Sequence, residues 1–135
     1  MPLTTKPEEV EPDFHFAMPF GAGNIVGPAE DLVRFWSALL GGQLVKPKTI
    51  QEMFERLYPM FGQPQFYGRG VMLYEVPKAN GGTQVWLGHS GGCPGIKAVV
   101  AHAPEAGAFV AVALNNDGSA EATAHLLLKA LKVTK

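Results

Sequence analysis

From residue 28 onward the chain repeats apolar side chains at helical spacing. Leu32, Phe35, Trp36, Leu39 and Leu40 fall at i, i+3, i+4, i+7 and i+8, one stripe of a helix predicted over 28–40. Pro28 suits the first helical position, where a missing N–H costs nothing, and Glu30 and Asp31 sit in the first turn, where the helix dipole favours negative charge. Gly41-Gly42 ends the run, because glycine takes a left-handed C′ conformation cheaply. A second helix is predicted from Pro47, with Ile50, Met53, Phe54 and Leu57 on one face and Pro59 closing it.

Beyond Tyr67 the period changes from helical to extended. Strands are predicted over 67–76, 83–90, 96–103 and 108–114, separated by the clusters Pro77–Gly82, Gly91–Gly95 and Pro104–Gly107. The last strand is apolar on both faces (Phe109, Ala111 and Ala113 on one, Val110, Val112 and Leu114 on the other), as in a strand covered from both sides. Residues 119–133 form a final helix, with Asp117 or Ser119 as its cap, Ala120, Ala124, Leu127, Leu128 and Leu131 as its apolar face, and lysines at its end. Short turns between successive strands imply antiparallel hairpins. The predicted class is therefore α+β: an antiparallel sheet of about four strands, two preceding helices, and a C-terminal helix packed on the sheet.

Residues 1–20 carry prolines 2, 7, 12 and 19 and several acids, and are expected to form an extended arm ahead of a single domain over 21–135. With 47% apolar and 17% charged residues, the 135-residue chain has the composition of a packed domain. Its formal charge of −1, without a Lys/Arg run, offers no face for a nucleic-acid backbone. No apolar stretch has the length of a membrane span or a signal peptide, so a soluble, cytoplasmic chain is expected. Cys93 is the single cysteine, which excludes an internal disulfide framework and a Cys-rich zinc site.

The candidate chemistry lies in Trp86-Leu-Gly-His-Ser-Gly-Gly-Cys-Pro-Gly95. A polar His89-Ser90 pair at a strand end is followed at once by glycines, which let a ligand approach the backbone closely. The N–H groups of Gly91 and Gly92 are placed to donate to an oxyanion, and His89 adds a titratable group beside them. Cys93 fits a nucleophilic thiol on paper, although an inert buried thiol is the commoner outcome. Trp86 fits core or pocket wall equally. His15, His102 and His125 lack metal-ligand spacing, and no metal is expected. Gly68-Arg-Gly70 lacks the rest of a dinucleotide loop, and Gly91–Gly95 lacks the trailing Lys-Ser/Thr of a phosphate loop, so no cofactor is expected.

Gly88-His-Ser-Gly-Gly-x-x-Gly95, followed by a strand, the Pro104-Glu-x-x-Gly107 turn, an apolar strand and Asn115, resembles the third active-site element of the serine β-lactamase-like hydrolases. That superfamily includes class C β-lactamases, D-alanyl-D-alanine peptidases and related esterases. Ala22–Leu32 is similar to its lead-in to a helix of the all-helical region, and Tyr67-Gly-Arg-Gly70 to its Y-G-x-G strand. The resemblance runs from about Ala22 to the C-terminus and corresponds to the last third of a catalytic domain. It implies that His89, Ser90 and Gly91 are the third motif (K-T-G or its H-S-G variant) and that the Gly92 N–H is half of an oxyanion hole. Trp86 and Cys93 are candidates for the pocket by their place beside the motif alone.

The family's other two elements are missing from this sequence. No Ser or Thr is followed three positions later by Lys, and Tyr58, Tyr67, Tyr74, Ser37, Ser90 and Ser119 all lack Asn two positions on. Acylation in the family takes place on the S-x-x-K serine, so catalysis by this chain alone is not expected. Two readings follow: part of a split or truncated hydrolase that needs a complementary N-terminal chain, or a non-catalytic module that binds a small molecule or itself. In either case a two-sided apolar strand left at a sheet edge is an aggregation template. The edge is therefore expected to be covered by the N-terminal arm or, in a two-fold dimer, by a second copy.

Overall fold

The computed structural model describes Gly23 and residues 25–131 except Ala79; the predicted arm over 1–20 lies outside the described residues. Helix α1 spans Ala29–Leu40. Pro28 stands one position earlier than predicted, at the N-cap with extended ψ of 156°, and its carbonyl accepts the Asp31 N–H at 3.1 Å. The stop at Gly41-Gly42 works through Gly42, whose φ of +73° lets Gly42 N–H reach the Leu39 carbonyl and Gln43 N–H reach that of Ala38. Helix α2, Pro47–Phe54, is shorter than the apolar spacing suggested. Leu57 falls outside it, because the chain straightens into strand β1 (Tyr58–Pro59).

The sheet is a six-stranded antiparallel meander in sequence order. The strand predicted over 67–76 is in fact two, β2 (Gln65–Tyr67) and β3 (Met72–Pro77), and β1 adds a further short strand. Gly68 and Gly70 cause the split. Gly68 N–H bonds back to the Val71 carbonyl at 2.8 Å and Gly70 takes φ +69°, so Tyr67 and Met72 close a hairpin. Strand β4 (Thr83–Cys93) runs three residues past its predicted end at Ser90, and Gly91 and Gly92 pair with Ala98 and Lys97 of β5 (Ile96–Ala103). The connecting turn shrinks to Pro94-Gly95. After a 3₁₀ turn at Pro104–Ala106 comes β6 (Ala108–Leu114), and helix α3 covers Ala120–Leu131.

Side chains alternate across the sheet into two cores. On one face Met72, Tyr74, Val76, Trp86, Val99, Ala101, Val110 and Val112 pack under Ala120, Ala124 and Leu128 of α3. On the other, Val71 and Val100 pack with Trp36 and Leu39 of α1, joined by the partly buried Phe109 and Ala111. The predicted two-sided burial of β6 therefore holds for Phe109–Val112, while Ala113 is exposed. Phe35, placed on the α1 stripe by its spacing, is 53% exposed. Strand β6 is the end of the sheet, and no strand among the described residues pairs with its outer edge.

Two glycines of β4 separate packing from openness. A Cβ at Gly88 would run into the Val100 carbonyl and the Ala101 backbone of β5, whereas one at Gly91 meets nothing within 4 Å. Gly88→Ala is expected to destabilise the fold by about 1–3 kcal/mol through overpacking, and Gly91→Ala by no more than about 0.5 kcal/mol, both measured by urea denaturation.

Candidate active site

The geometry of the site follows from unequal strand lengths. Pairing of β3 with β4 ends at Met72–Gly88, whereas pairing of β4 with β5 continues to Cys93–Ile96. Cys93 and Ile96 close a two-residue hairpin, so their backbone groups face each other. With a period of two, those of Gly91 and His89 also face β5. The backbone groups of Ser90 and Gly92 face the opposite way, where β3 has already stopped. Ser90 N–H accordingly reaches the Met72 sulfur at 3.4 Å, and Gly92, one pair further out, directs its N–H past the end of β3. Gly91 and Gly92 are both exposed.

Adjacent residues on β4 leave opposite faces of the sheet, yet His89 and Ser90 both meet the β2–β3 hairpin. The His89 Nε2 lies 3.1 Å from the Tyr67 hydroxyl, with the two rings edge to face at 5.5 Å. The Ser90 Oγ points at the Met72 sulfur, 3.8 Å away, which also accepts the Tyr74 hydroxyl at 3.4 Å. A thioether is a weak acceptor and takes no proton at neutral pH, so this contact does not activate Ser90 as a nucleophile. Burial pushes the Tyr74 phenol up to about 12, with the Ser90 hydroxyl acting in the opposite sense and the Glu121 carboxylate adding to the rise.

Tyr67 was not among the site residues read from the sequence, although it opens the Tyr67-Gly-Arg-Gly70 motif that had been singled out there. Its backbone is clamped. A Cβ at Gly68 would strike the Met53 carbonyl, and that carbonyl instead accepts the Arg69 N–H at 2.9 Å. Close approach of the turn to the end of α2 thus fixes the strand that carries the phenol.

The remaining candidates stand apart from this group. Trp86 lies four residues back along β4, roughly 13 Å at strand rise, buried in the core under α3 with an unpartnered Nε1. Cys93, half-buried, ends the strand, roughly 13 Å beyond His89 by the same rise, so the two do not form a thiol–imidazole pair. Its carbonyl accepts Lys97 Nζ at 3.4 Å. Asp117 does not cap α3; Ser119 does, accepting the Ala122 N–H at 3.0 Å. Asp117 instead accepts the Gly95 N–H at 3.0 Å and lies 3.6 Å from Lys97 Nζ, tying the loop after β6 to the tip of the β4–β5 hairpin. His102 stacks on Phe109 at 4.3 Å, and burial lowers its pKa. Among the described residues, no three His, Cys, Asp or Glu side chains gather as a metal site, and no helix is long and apolar enough to cross a membrane.

The sequence profile of the Beta-lactamase family matches residues 2–134. The chain belongs to the Beta-lactamase family. Among solved structures, D-amino acid amidase from Ochrobactrum anthropi SV3, crystallised with D-phenylalanine, superposes with a TM-score of 0.59 at 24% identity, over 83% of this chain and 36% of the amidase. A penicillin-binding protein from Bacillus halodurans gives 0.57 at 23% identity, over 76% of this chain and 30% of its own. Both share the fold, and this family member spans about a third of either neighbour's length. No curated protein gives a significant sequence match.

Two outcomes follow from the surroundings of the motif. Asp117→Ala leaves the Gly95 N–H without its acceptor; a loss of about 0.5–1.5 kcal/mol is expected, together with faster hydrogen exchange at the Gly95 amide. Folding favours the neutral Tyr74 phenol, so this contribution is complete below pH 10 and is lost as pH rises through about 12. In urea melts from pH 9 upward, Tyr74→Phe is expected to remove that part of the alkaline loss of stability.

Proposed function

We propose that this chain is the sheet-and-helix part of a serine hydrolase active site, with His89, Ser90 and Gly91 as its third motif and the Gly92 N–H as one oxyanion donor. The observation that carries this reading is the overrun of β4 beyond β3, which leaves the backbone edge at the exposed Gly92 without a strand partner on that side. A carbonyl oxygen lying along that edge would meet a donor held rigidly by a paired strand, as oxyanion stabilisation requires. The substrate class is an acyl compound: an amide, ester or β-lactam.

On this reading the chain is catalytically incomplete by itself. Its sequence lacks S-x-x-K and Y-x-N, and the Ser90 hydroxyl rests on a thioether instead of a base. A complementary polypeptide brings the nucleophile, its activating lysine and the second oxyanion donor. It meets a domain spanning 21–135 whose β6 edge is open to pairing with that polypeptide, with the arm over 1–20, or with a second copy of the chain. Trp86 and Cys93 lie on the motif strand, on either side of the motif, and take no part in acylation.

The test is intact-mass analysis of the pure chain after exposure to a chromogenic β-lactam and to a p-nitrophenyl ester. Neither an adduct nor turnover is expected. Turnover abolished by Ser90→Ala would make Ser90 itself a nucleophile and overturn the reading. With a complementary chain carrying S-x-x-K and Y-x-N supplied, hydrolysis is expected.

A further inference from the structure

A hollow lies away from the motif, where the sheet meets α3. It is a cleft of about 350 Å³ between the β3–β4 connection, the 3₁₀ turn and α3, with Trp86 and Leu128 among its apolar walls. A second cleft of about 210 Å³ shares Pro77, Trp86 and His125 with it, so the two meet at the indole. The larger volume falls in the range of small-molecule sites, which combine apolar walls with a few polar groups.

Two features distinguish this cleft from a packing gap. Trp86 is 5% exposed, and its indole N–H has no hydrogen-bond partner among the described residues. Buried donors are almost always satisfied, and an exception requires an explanation, for which an acceptor supplied by a water, an ion or a ligand is one. The lining of the larger cleft also carries more cations than carboxylates, and Glu121 lines the smaller cleft beside it. Lys78 from the β3–β4 connection, Lys129 from the last turn of α3 and Glu105 line the larger cleft, and Glu105 pairs with Lys78 at 2.7 Å. Two cations against one carboxylate leave an excess positive charge. His125 stands edge-on to the indole at 5.6 Å and lines both clefts.

We infer that this cleft binds a small carboxylate with a flat apolar body, the body against Trp86 and Leu128 and the carboxylate toward Lys129 and Lys78. The site is separate from the Ser90–Gly92 edge and does not depend on the reading of that edge as part of a hydrolase. An acceptor atom on the ligand body satisfies the Trp86 indole, and the half-buried His125 ring shifts to admit it.

The chain contains two tryptophans, Trp36 in the core under α1 and Trp86 in the core under α3, so each indole N–H serves as an internal control for the other. Titration of the ¹⁵N-labelled chain with 4-phenylbutanoate is expected to move the Trp86 indole signal saturably, with a dissociation constant in the range of about 1 mM or below, and to leave Trp36 in place. Lys129→Ala, at an exposed position, is expected to weaken binding roughly two- to fivefold, and 4-phenylbutylamine to bind more weakly than the carboxylate. Trp86→Phe keeps the ring and removes the donor, and is expected to weaken binding further; where that variant fails to fold, Lys129→Ala decides. A Trp86 signal that stays fixed, two indoles that move in parallel, or equal binding of amine and carboxylate would each overturn the proposal.

Discussion

Strand β4 outlasts one neighbour and not the other. From His89 to Cys93 it is held by β5 alone, so every second backbone group along that stretch leaves the sheet sideways. The site depends on this offset. A β3 longer by four residue pairs would consume the backbone groups of Ser90 and Gly92 in its own ladder, and a β4 ending at Ser90 would leave Gly92 in a loop without fixed direction. The offset is itself maintained from both ends. Gly68 and Gly70 turn the chain early enough for β3 to begin at Met72, and the Asp117 clasp holds the far tip of the β4–β5 hairpin.

The rest of the fold makes that strand stiff. Gly88 lets β4 lie against the β5 backbone, α3 closes one face over Trp86, Val99 and Val112, and α1 closes the other over Val100. A paired strand holds an N–H in a more constant direction than a loop does, which is what the proposed oxyanion donor requires. The β6 edge is the counterpart of this order. Its two faces are largely covered, yet its lateral hydrogen-bonding groups meet no strand among the described residues, and the chain spans about a third of the structures it resembles.

Local signals were sufficient where one element's pattern was self-contained. The α1 stripe, the strands 96–103 and 108–114 and the start of α2 at Pro47 all follow from spacing and punctuation, and the structure places them there. The errors came where glycine was ambiguous. At Gly68 and Gly70 it marked a turn inside what read as one strand, and at Gly91 and Gly92 it continued a strand that seemed to stop. Glycine permits both outcomes, and the choice was made by contacts outside the residue pattern itself: Met53, fifteen residues away, against Gly68, and the β5 pairing of Lys97 with Gly92.

The amino-acid sequence by itself determined the α+β class, the order of elements, the His89-Ser90-Gly91 motif with its resemblance to a hydrolase superfamily, and the lack of S-x-x-K and Y-x-N within this chain. Periodicity and short motifs are properties of neighbouring residues, and they survive without a fold. Only the tertiary structure decided that Tyr67 holds His89, that Ser90 rests on a methionine sulfur, that Trp86 belongs to a separate cleft, and that Gly92 faces outward. Each of these depends on where one strand stops relative to another. That register is set by packing between segments tens of residues apart, and no local pattern encodes it.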